Sequence, residues 1–324
     1  MNPKVSVIIC TYNRAAFLKE AIASVMAQSF SDWELIVIND GSTDETATVV
    51  ADFMKQDKRI RYLSQSNLGL GGTRTKAPML AKGEYLAFLD DDDFFLPDKL
   101  MKQTEFLDKN PDIGMVYGQV KMVKADNELI RIWPIQGATN FLELIRQCTI
   151  QPNACLVRKT CFEKVGTFNP HMNGSDDYEM WLRIAREYSI QFVPGTVGAY
   201  RWHHNNFSLN TKRRVKNLLR VYKVLQSQYS LNDEEKRQVI TSVLFLTYFK
   251  AQEEMKSGNY AWAAFLIFSA LKFSPKIGLE LTWGSSKIWL YRLCRPYFAA
   301  VYCLMKGFFI PQKSKVPATQ VVHE

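Results

Sequence analysis

Two periods of apolar residues alternate through the first hundred residues, and this alternation limits the fold more than any other feature of the chain. Residues 4–10 (KVSVIIC) are a short β-branched run with the character of a buried strand. Residues 14–28 follow with Phe17, Leu18, Ala21, Ile22 and Val25 at helical spacing, and Asn13 stands at the N-cap position. Residues 34–40 (ELIVIND) read as a second strand. Residues 42–56 read as a second helix, with Ser42 and Glu45 spaced as a capping box. Residues 60–64 (IRYLS) and 84–89 (EYLAFL) are the third and fourth strands, separated by a glycine-rich loop and a helix. Strand and helix in strict alternation imply an α/β fold, a mainly parallel sheet with helices on both faces.

The alternation weakens after residue 110. Residues 114–123 and 128–133 suit a hairpin around KADN, residues 140–147 a short helix, 153–159 a strand and 175–188 a helix that opens on its acidic end. Beyond residue 209 the pattern is helical, with aromatic-rich stretches at 258–275 and 285–309. The expected organisation is an α/β domain over residues 1–209 and a basic helical extension over 210–324. With 47% hydrophobic and 23% charged residues the chain can bury a sizeable core. Disorder is expected only in the end, residues 311–324.

Charge divides along the same line. Residues 1–200 hold 22 Lys and Arg against 25 Asp and Glu, whereas residues 201–324 hold 19 against 7. An anionic lipid surface is the natural partner of the second part. No nucleic-acid-binding motif accompanies the charge, so nucleic acid is not an expected partner. The six cysteines form no C-x-x-C pair, which leaves a disulfide or zinc framework without support and points to a reducing compartment. The opening apolar run is too short for a signal peptide, and no stretch of about 18 apolar residues suits a spanning helix. A cytoplasmic protein is expected, with peripheral contact at the inner face of the membrane.

In open parallel sheets ligands bind beyond the carboxyl ends of the strands. The residues there are Thr11, Tyr12, Asn39, Asp40 and the run Asp90, Asp91, Asp92 and Asp93. Four successive carboxylates repel one another, and one use that offsets the repulsion is a hard divalent cation, which takes one or two carboxylates plus substrate phosphate. In an extended chain Asp90 and Asp92 face one side. The alternative is a solvated acidic turn with Asp93 or Asp98 capping the helix after Pro97. In NLGLGGTRTK, Gly69, Gly71 and Gly72 permit close backbone approach, and Arg74 adds a cation suited to diphosphate. Asp176 and Asp177 open a helix, where local pattern alone reads as a cap and a first-turn acid. His203, in YRWHHNNFS, is a metal or phosphate ligand or a structural histidine.

In order and spacing, five segments together resemble glycosyltransferase family 2, of the GT-A fold: VSVIICTYNR, ELIVINDGSTDET, residues 67–100, GSDDYEMWLRIA and YRWHHNNFS. The resemblance spans residues 3–208. It implies inverting transfer of a sugar from a nucleotide-diphosphate donor, commonly UDP-linked, with Mg²⁺ or Mn²⁺ as cofactor. It also implies nucleotide contacts from Thr11, Tyr12, Asp40 and Arg74, and an Asp90-x-Asp92 motif in which Asp92 is the main metal ligand and Asp90 lies near the ribose or the metal. Asp91 stands within the motif where a small residue is usual. Asp177 then matches the general base and His203 a histidine of the metal or diphosphate site. The segment around Arg74 reads TRT where the family has A-R-N, and Asp176 replaces a glutamate. Members with basic helical tails build surface polysaccharides on saccharide or lipid-linked acceptors, within a donor half at about residues 1–100 and an acceptor half at about 101–209.

Two other enzymes and a non-enzyme compete with this reading. An aspartate-nucleophile phosphatase shares the apolar strand and D-x-D, but wants Thr or Val where Phe94 stands and carries its motif on the first strand. A sugar nucleotidyltransferase wants a glycine-rich basic first loop, which CTYNRAAF lacks. A non-catalytic metal- or nucleotide-binding scaffold has no need of Asp40, Asp90, Asp92 and Asp177 together.

Overall fold

The computed structural model describes residues 2–134, 137–146, 150–172, 174–203, 206 and 210–273. The chain divides into two compact units, residues 1–230 and 231–324. The first unit runs β1 (Val5–Thr11), α1 (Ala15–Met26), β2 (Trp33–Asn39), α2 (Thr46–Gln56), β3 (Ile60–Ser64), α3 (Gly69–Arg74), α4 (Ala77–Leu80), β4 (Tyr85–Asp90), β5 (Phe94–Phe95) and α5 (Lys99–Lys109). It continues with β6 (Ile113–Lys124), β7 (Leu129–Trp133), α6 (Phe141–Arg146), a 3₁₀ turn (Pro152–Ala154), β8 (Cys155–Arg158), α7 (Lys159–Val165), α8 (Asp176–Glu187), β9 (Ser189–Trp202) and α9 (Thr211–Gln228).

One sheet joins the strands in the order β3-β2-β1-β4-β8-β6-β9-β5, with β7 added to β6. It is parallel from β3 to β4. Beyond that it is mixed: β8 runs antiparallel to both β4 and β6, while β9 returns parallel to β6. β6 and β7 form the hairpin expected around KADN.

Because side chains alternate along a strand, β1, β2 and β4 supply two layers. Val5, Val7, Ile9, Leu35, Val37, Ala87 and Leu89 bury one face with Leu18, Ile22 and Val25 of α1 and Leu100 and Leu107 of α5. On the other face Phe88 meets Phe162 and Trp181 of α7 and α8, and Phe168 between them. Both faces are covered, which is why these strands read as nearly continuous apolar runs. Cys10, Cys155 and Cys161 are buried in this core, and burial pushes each thiol up to about 12, so none is a reactive thiolate.

Two local expectations fail for one reason. Asn13 does not cap α1, and Ser42 with Glu45 forms no capping box. Arg14 is the N-cap residue, and Asn13 takes a positive φ of 53°. Its Oδ1 accepts from Thr43 N at 2.8 Å, and its N donates to Ser42 Oγ at 2.9 Å. Asp44 accepts from Ala15 N at 3.0 Å, so the start of α1 is capped from the following loop. The parallel register sets Thr11 beside Asn39, and Asn13 and Ser42 satisfy each other's loops across the gap rather than their own helices, while Asp44 serves both by also accepting from Thr46 N at 3.1 Å.

The first unit extends past the expected division at residue 209, because α9 packs on it. Tyr222 of α9 donates its hydroxyl to Ile145 O at 3.1 Å and meets Tyr178 edge-on. The second unit contains α10 (Asp233–Lys256) and α11 (Tyr260–Phe273). α10 opens with a capping box between Asn232 and Glu235. Trp262 is buried and stacks on Phe265, while Phe265 and Phe268 are exposed. Among the described residues no helix is long and apolar enough to cross a membrane. The aromatic stretch at 285–309, with Trp289, Tyr291, Tyr297 and Phe298, lies outside the described residues, as do the end at 311–324, Cys148, Cys294 and Cys303.

The lower end of the sheet shows how tightly these elements meet. Gly83 N donates to Ser6 Oγ at 2.8 Å, and a Cβ at Gly83 would lie 2.5 Å from Ser6 N and 2.8 Å from Val5 C. Backbone cannot yield to that methyl. Gly83→Ala is expected to cost roughly 1–3 kcal/mol in urea unfolding, whereas Met79→Ala, on an exposed side chain, should change stability by no more than about 0.5 kcal/mol.

Candidate active site

β2, β1 and β4 end side by side, Thr11 beside Asn39 and Cys10 beside Asp90. A cavity of about 550 Å³ opens beyond these ends. Thr11, Tyr12, Arg14, Asp40, Arg74, Asp90, Asp91 and Asp92 line it together with Asp176, Asp177 and Gln151, and with Arg213 and Arg214 from the start of α9.

The acidic run is not extended. Asp93 N donates to Asp90 O at 3.1 Å, so the four residues form a tight turn after β4, and the expected alternation of Asp90 with Asp92 does not apply. The turn spreads the carboxylates in three directions. Asp90 pairs with Arg74, which also donates to Asp176 Oδ2 at 2.8 Å. Asp91 accepts from Arg14 Nη1 at 3.0 Å, and the same nitrogen pairs with Asp92 Oδ2. Asp93 turns away from the cavity to accept from Arg201 N and from Asn153 Nδ2, both at 2.9 Å. Arg201 anchors the turn from behind through Asp92 O at 3.1 Å, Ala125 O at 3.0 Å and Glu20 Oε2 at 2.5 Å.

Burial sets the charge states. It works against the Arg74 cation, but Asp90, Asp176 and Asp177 outweigh it and raise its pKa well above the ordinary value. Burial, reinforced by the Asp92 charge and opposed by Arg14, pushes Asp91 up to about 7. Burial and then the neighbouring Asp176 push Asp177 up to about 7, against Arg74 and the bond from Tyr178 N. Helix-start N–H groups favour an ionised Asp177, but desolvation and a like charge outweigh them. Asp176 is fully buried on Arg74, and the N-cap of α8 is Ser175.

Asp40 spends its carboxylate on the protein. Oδ1 accepts from Gln65 Nε2 and Leu68 N, each at 2.8 Å, and Oδ2 from Gly69 N at 2.9 Å. It thereby fixes the glycine-rich loop that leads into α3. A Cβ on Gly41 would approach Asn67 N to 3.1 Å, so Gly41 serves this loop contact as well as its turn. Tyr12 is half exposed at the cavity. His203 stacks on Phe17, centroids 4.9 Å apart, and its Nε2 lies 3.2 Å from Asp92 Oδ2. Among the described residues no three His, Cys, Asp or Glu side chains converge as a metal cage. Asp92 and His203 are a two-donor set, which fits a hard divalent cation that draws its other ligands from water and substrate phosphate and not a closed structural site.

Residues 6–166 match the sequence profile of Glycosyl transferase family 2. The chain is 30% identical over 215 residues to the Escherichia coli UDP-Glc:alpha-D-GlcNAc-diphosphoundecaprenol beta-1,3-glucosyltransferase WfgD, covering 65% of this chain and 82% of that one. It belongs to glycosyltransferase family 2. Some relatives are longer: the chain spans 42% of an uncharacterised glycosyltransferase of Rickettsia felis at 30% identity. S. aureus TarS 1–349, crystallised with UDP, superposes with a TM-score of 0.69 at 16% identity, covering 93% of this chain and 88% of that one. The mannosyltransferase PcManGT of Pyrobaculum calidifontis, in complex with GDP-Man and Mn²⁺, gives 0.60 at 16% identity, covering 95% and 88%. These likenesses are of fold, the GT-A fold of the family with helices following it.

Thr11, Tyr12, Asp40, Arg74, Asp90, Asp91, Asp92, Asp176 and Asp177 line the cavity of this family 2 chain, whereas Asp93 turns away from it and His203 reaches it through Asp92. Four arginines were missed in their roles. Arg14 and Arg201 lie inside two of the motif segments, but nothing in TYNR or YRW marks them as partners of a turn more than 70 residues away. Arg213 and Arg214 were read only as part of a basic tail.

In the metal-free protein the raised values of Asp91 and Asp177 mean that the folded state holds protons which the unfolded chain releases near pH 4. That contribution is present at low pH and lost as pH rises through about 7, so stability should fall between about pH 5 and 7. Urea unfolding at several pH values without metal measures this. Asp177→Asn should flatten the dependence, and stability rising across the interval would contradict it.

Proposed function

We propose that this family 2 protein is a metal-dependent, inverting glycosyltransferase. It moves a sugar from a nucleotide-diphosphate donor, UDP-linked in the first instance, to a hydroxyl of a saccharide or lipid-linked acceptor in surface polysaccharide or glycoconjugate synthesis. The observation that carries the reading is a single cavity that Asp177, with a pKa near 7, shares with the strand-end residues Tyr12, Asp90, Asp91 and Asp92. The donor and acceptor named for WfgD and the UDP bound to TarS support the substrate class, and the Mn²⁺ in PcManGT supports a divalent cation.

Asp177 acts as the general base. It accepts the proton of the acceptor hydroxyl, the oxygen bonds to C1 of the sugar, and the C1–O bond to the diphosphate breaks with its electron pair leaving on the nucleotide. One displacement inverts the anomeric carbon and needs no covalent nucleophile. A base pKa near 7 suits this, since the group is deprotonated often enough to act and basic enough to take the proton. Tyr12, an exposed aromatic at the cavity, suits a flat base. Arg74, held by Asp90 and Asp176, and Asp40, behind the glycine-rich loop, shape the nucleotide side. Mg²⁺ or Mn²⁺, which Asp92 and His203 would hold, would supply neutralisation of the departing diphosphate.

The donor half is about residues 1–100 and the acceptor half about 101–209; the basic region after residue 209 begins with α9, which packs on the first unit. Its excess of Lys and Arg and the exposed Phe265 and Phe268 of α11 support reversible attachment of a cytoplasmic protein to anionic membrane. Each basic residue near such a surface contributes about 1 kcal/mol. Co-sedimentation with anionic but not neutral vesicles at low salt is expected; absence from both pellets would oppose attachment.

Nucleotide release from a panel of nucleotide sugars, with Mg²⁺ or Mn²⁺, identifies the donor. With that donor, Asp177→Asn should lower turnover by about 10²–10⁴-fold while nucleotide affinity by calorimetry barely changes. Wild-type turnover should rise with pH through about 7, as a base loses its blocking proton. Near-normal turnover in Asp177→Asn would remove the base assignment. Loss of nucleotide binding as severe as the loss of turnover would move Asp177 to the donor site.

A further inference from the structure

Arg14 pairs with Asp92, the carboxylate that would hold the divalent cation proposed above. Its Nη1 bridges Asp91 Oδ1, at 3.0 Å, and Asp92 Oδ2. Asp92 Oδ2 is also the oxygen that faces His203 Nε2. The two carboxylates are 5% and 6% exposed, so without a cation between them two buried like charges would stand side by side at a high energetic cost. Arg14 supplies that cation. It is itself more accessible, with 29% of its side chain exposed, and it lines the cavity. Its backbone is fixed as the N-cap of α1, with Arg14 O accepting from Leu18 N at 3.0 Å. Exchange of this counter-charge therefore needs only a side-chain rotation and no refolding of the helix.

We propose that Arg14 is the resident counter-ion of the metal-binding carboxylates and that it exchanges with the divalent cation when a diphosphate enters the cavity. The proposal rests on the metal reading given above. A metal ion arriving alone takes Asp92 from Arg14 and leaves the guanidinium with Asp91 as its one remaining partner of the pair. A metal ion arriving with a nucleotide diphosphate displaces Arg14 toward a new, doubly charged partner in the same cavity. A guanidinium fork suits phosphate oxygens as well as it suits carboxylates. Metal and nucleotide then raise each other's affinity by the same factor, and Arg14 is a source of that coupling. Its role is positional: it holds the turn charged and ready, and it ties metal entry to donor entry.

The test is calorimetry of Mn²⁺ binding to the full chain, first alone and then with saturating UDP or GDP, whichever binds. Wild type should bind Mn²⁺ alone weakly and much more tightly with the nucleotide. Arg14→Gln should bind Mn²⁺ alone at least about ten-fold more tightly than wild type, the scale of losing one close competing charge. In that variant the factor by which nucleotide enhances Mn²⁺ binding should shrink correspondingly. Arg14→Lys, whose ammonium lacks the fork that spans two carboxylates, should fall between them and keeps the question open to test if Arg14→Gln folds poorly. Asp92→Asn should abolish the tight site in both backgrounds. Equal or weaker affinity for Mn²⁺ alone in Arg14→Gln and Arg14→Lys, with nucleotide-dependent binding intact, would overturn the exchange while leaving the metal reading in place. Absence of any Mn²⁺ binding with nucleotide present would remove the metal reading, and the exchange with it.

Discussion

Four adjacent carboxylates in a tight turn at the end of a buried strand can stay there only if each finds a counter-charge or a donor of its own. Asp90 finds Arg74, Asp91 and Asp92 share Arg14, and Asp93 takes the backbone of Arg201 and the amide of Asn153. The partners come from α3, the start of α1, β9 and the 3₁₀ turn before β8. The turn therefore ties the end of β4 to α1, α3, β9 and the turn before β8, in addition to the direct pairing of β4 with β8. Breaking one pair would leave a buried charge uncompensated, which is far more costly than the pair is favourable. The ion pairs fix the geometry of the site, and its stability comes from the apolar layers on both faces of β1, β2 and β4.

The same arrangement divides labour among residues that look alike in the sequence. Asp176 and Asp177 are neighbours, yet Asp176 is locked against Arg74 while Asp177 faces the cavity with a proton affinity raised by burial and by Asp176 itself. Asp93 resembles Asp92, yet Asp93 holds β9 while Asp92 faces His203. The Asp40 carboxylate accepts from Gln65, Leu68 and Gly69 in the loop over residues 65–69, so its effect on a nucleotide would act through the shape of that loop.

Most strands and helices were legible because burial on one or both faces leaves a period in the sequence. The hairpin at residues 114–133 was legible from two apolar runs separated by turn residues. Caps were not: Asn13 and Ser42 carry the right side chains for their own helices, but the parallel register puts the two loops within reach of each other, and tertiary bonds replaced local ones. The extent of the first unit was missed at α9, since Tyr222 looks like any aromatic in a basic helix until Ile145 O and Tyr178 are beside it. Within the site, residue type and strand-end position marked the carboxylates and Arg74. They did not mark Arg14 or Arg201, because a counter-ion's identity depends on which distant side chain the fold brings opposite.

In the exchange proposed here, the turn at Asp90–Asp93, with His203, trades an internal cation for a divalent one beside a nucleotide diphosphate. A crystal structure with Mn²⁺ and the identified nucleotide tests it most directly, read through anomalous scattering at the manganese edge. A single strong peak is expected within about 2–2.5 Å of an Asp92 carboxylate oxygen, with the Arg14 guanidinium moved off Asp92 toward the diphosphate. A peak remote from Asp92, or a metal on Asp92 with Arg14 still bridging Asp91 and Asp92, would contradict it.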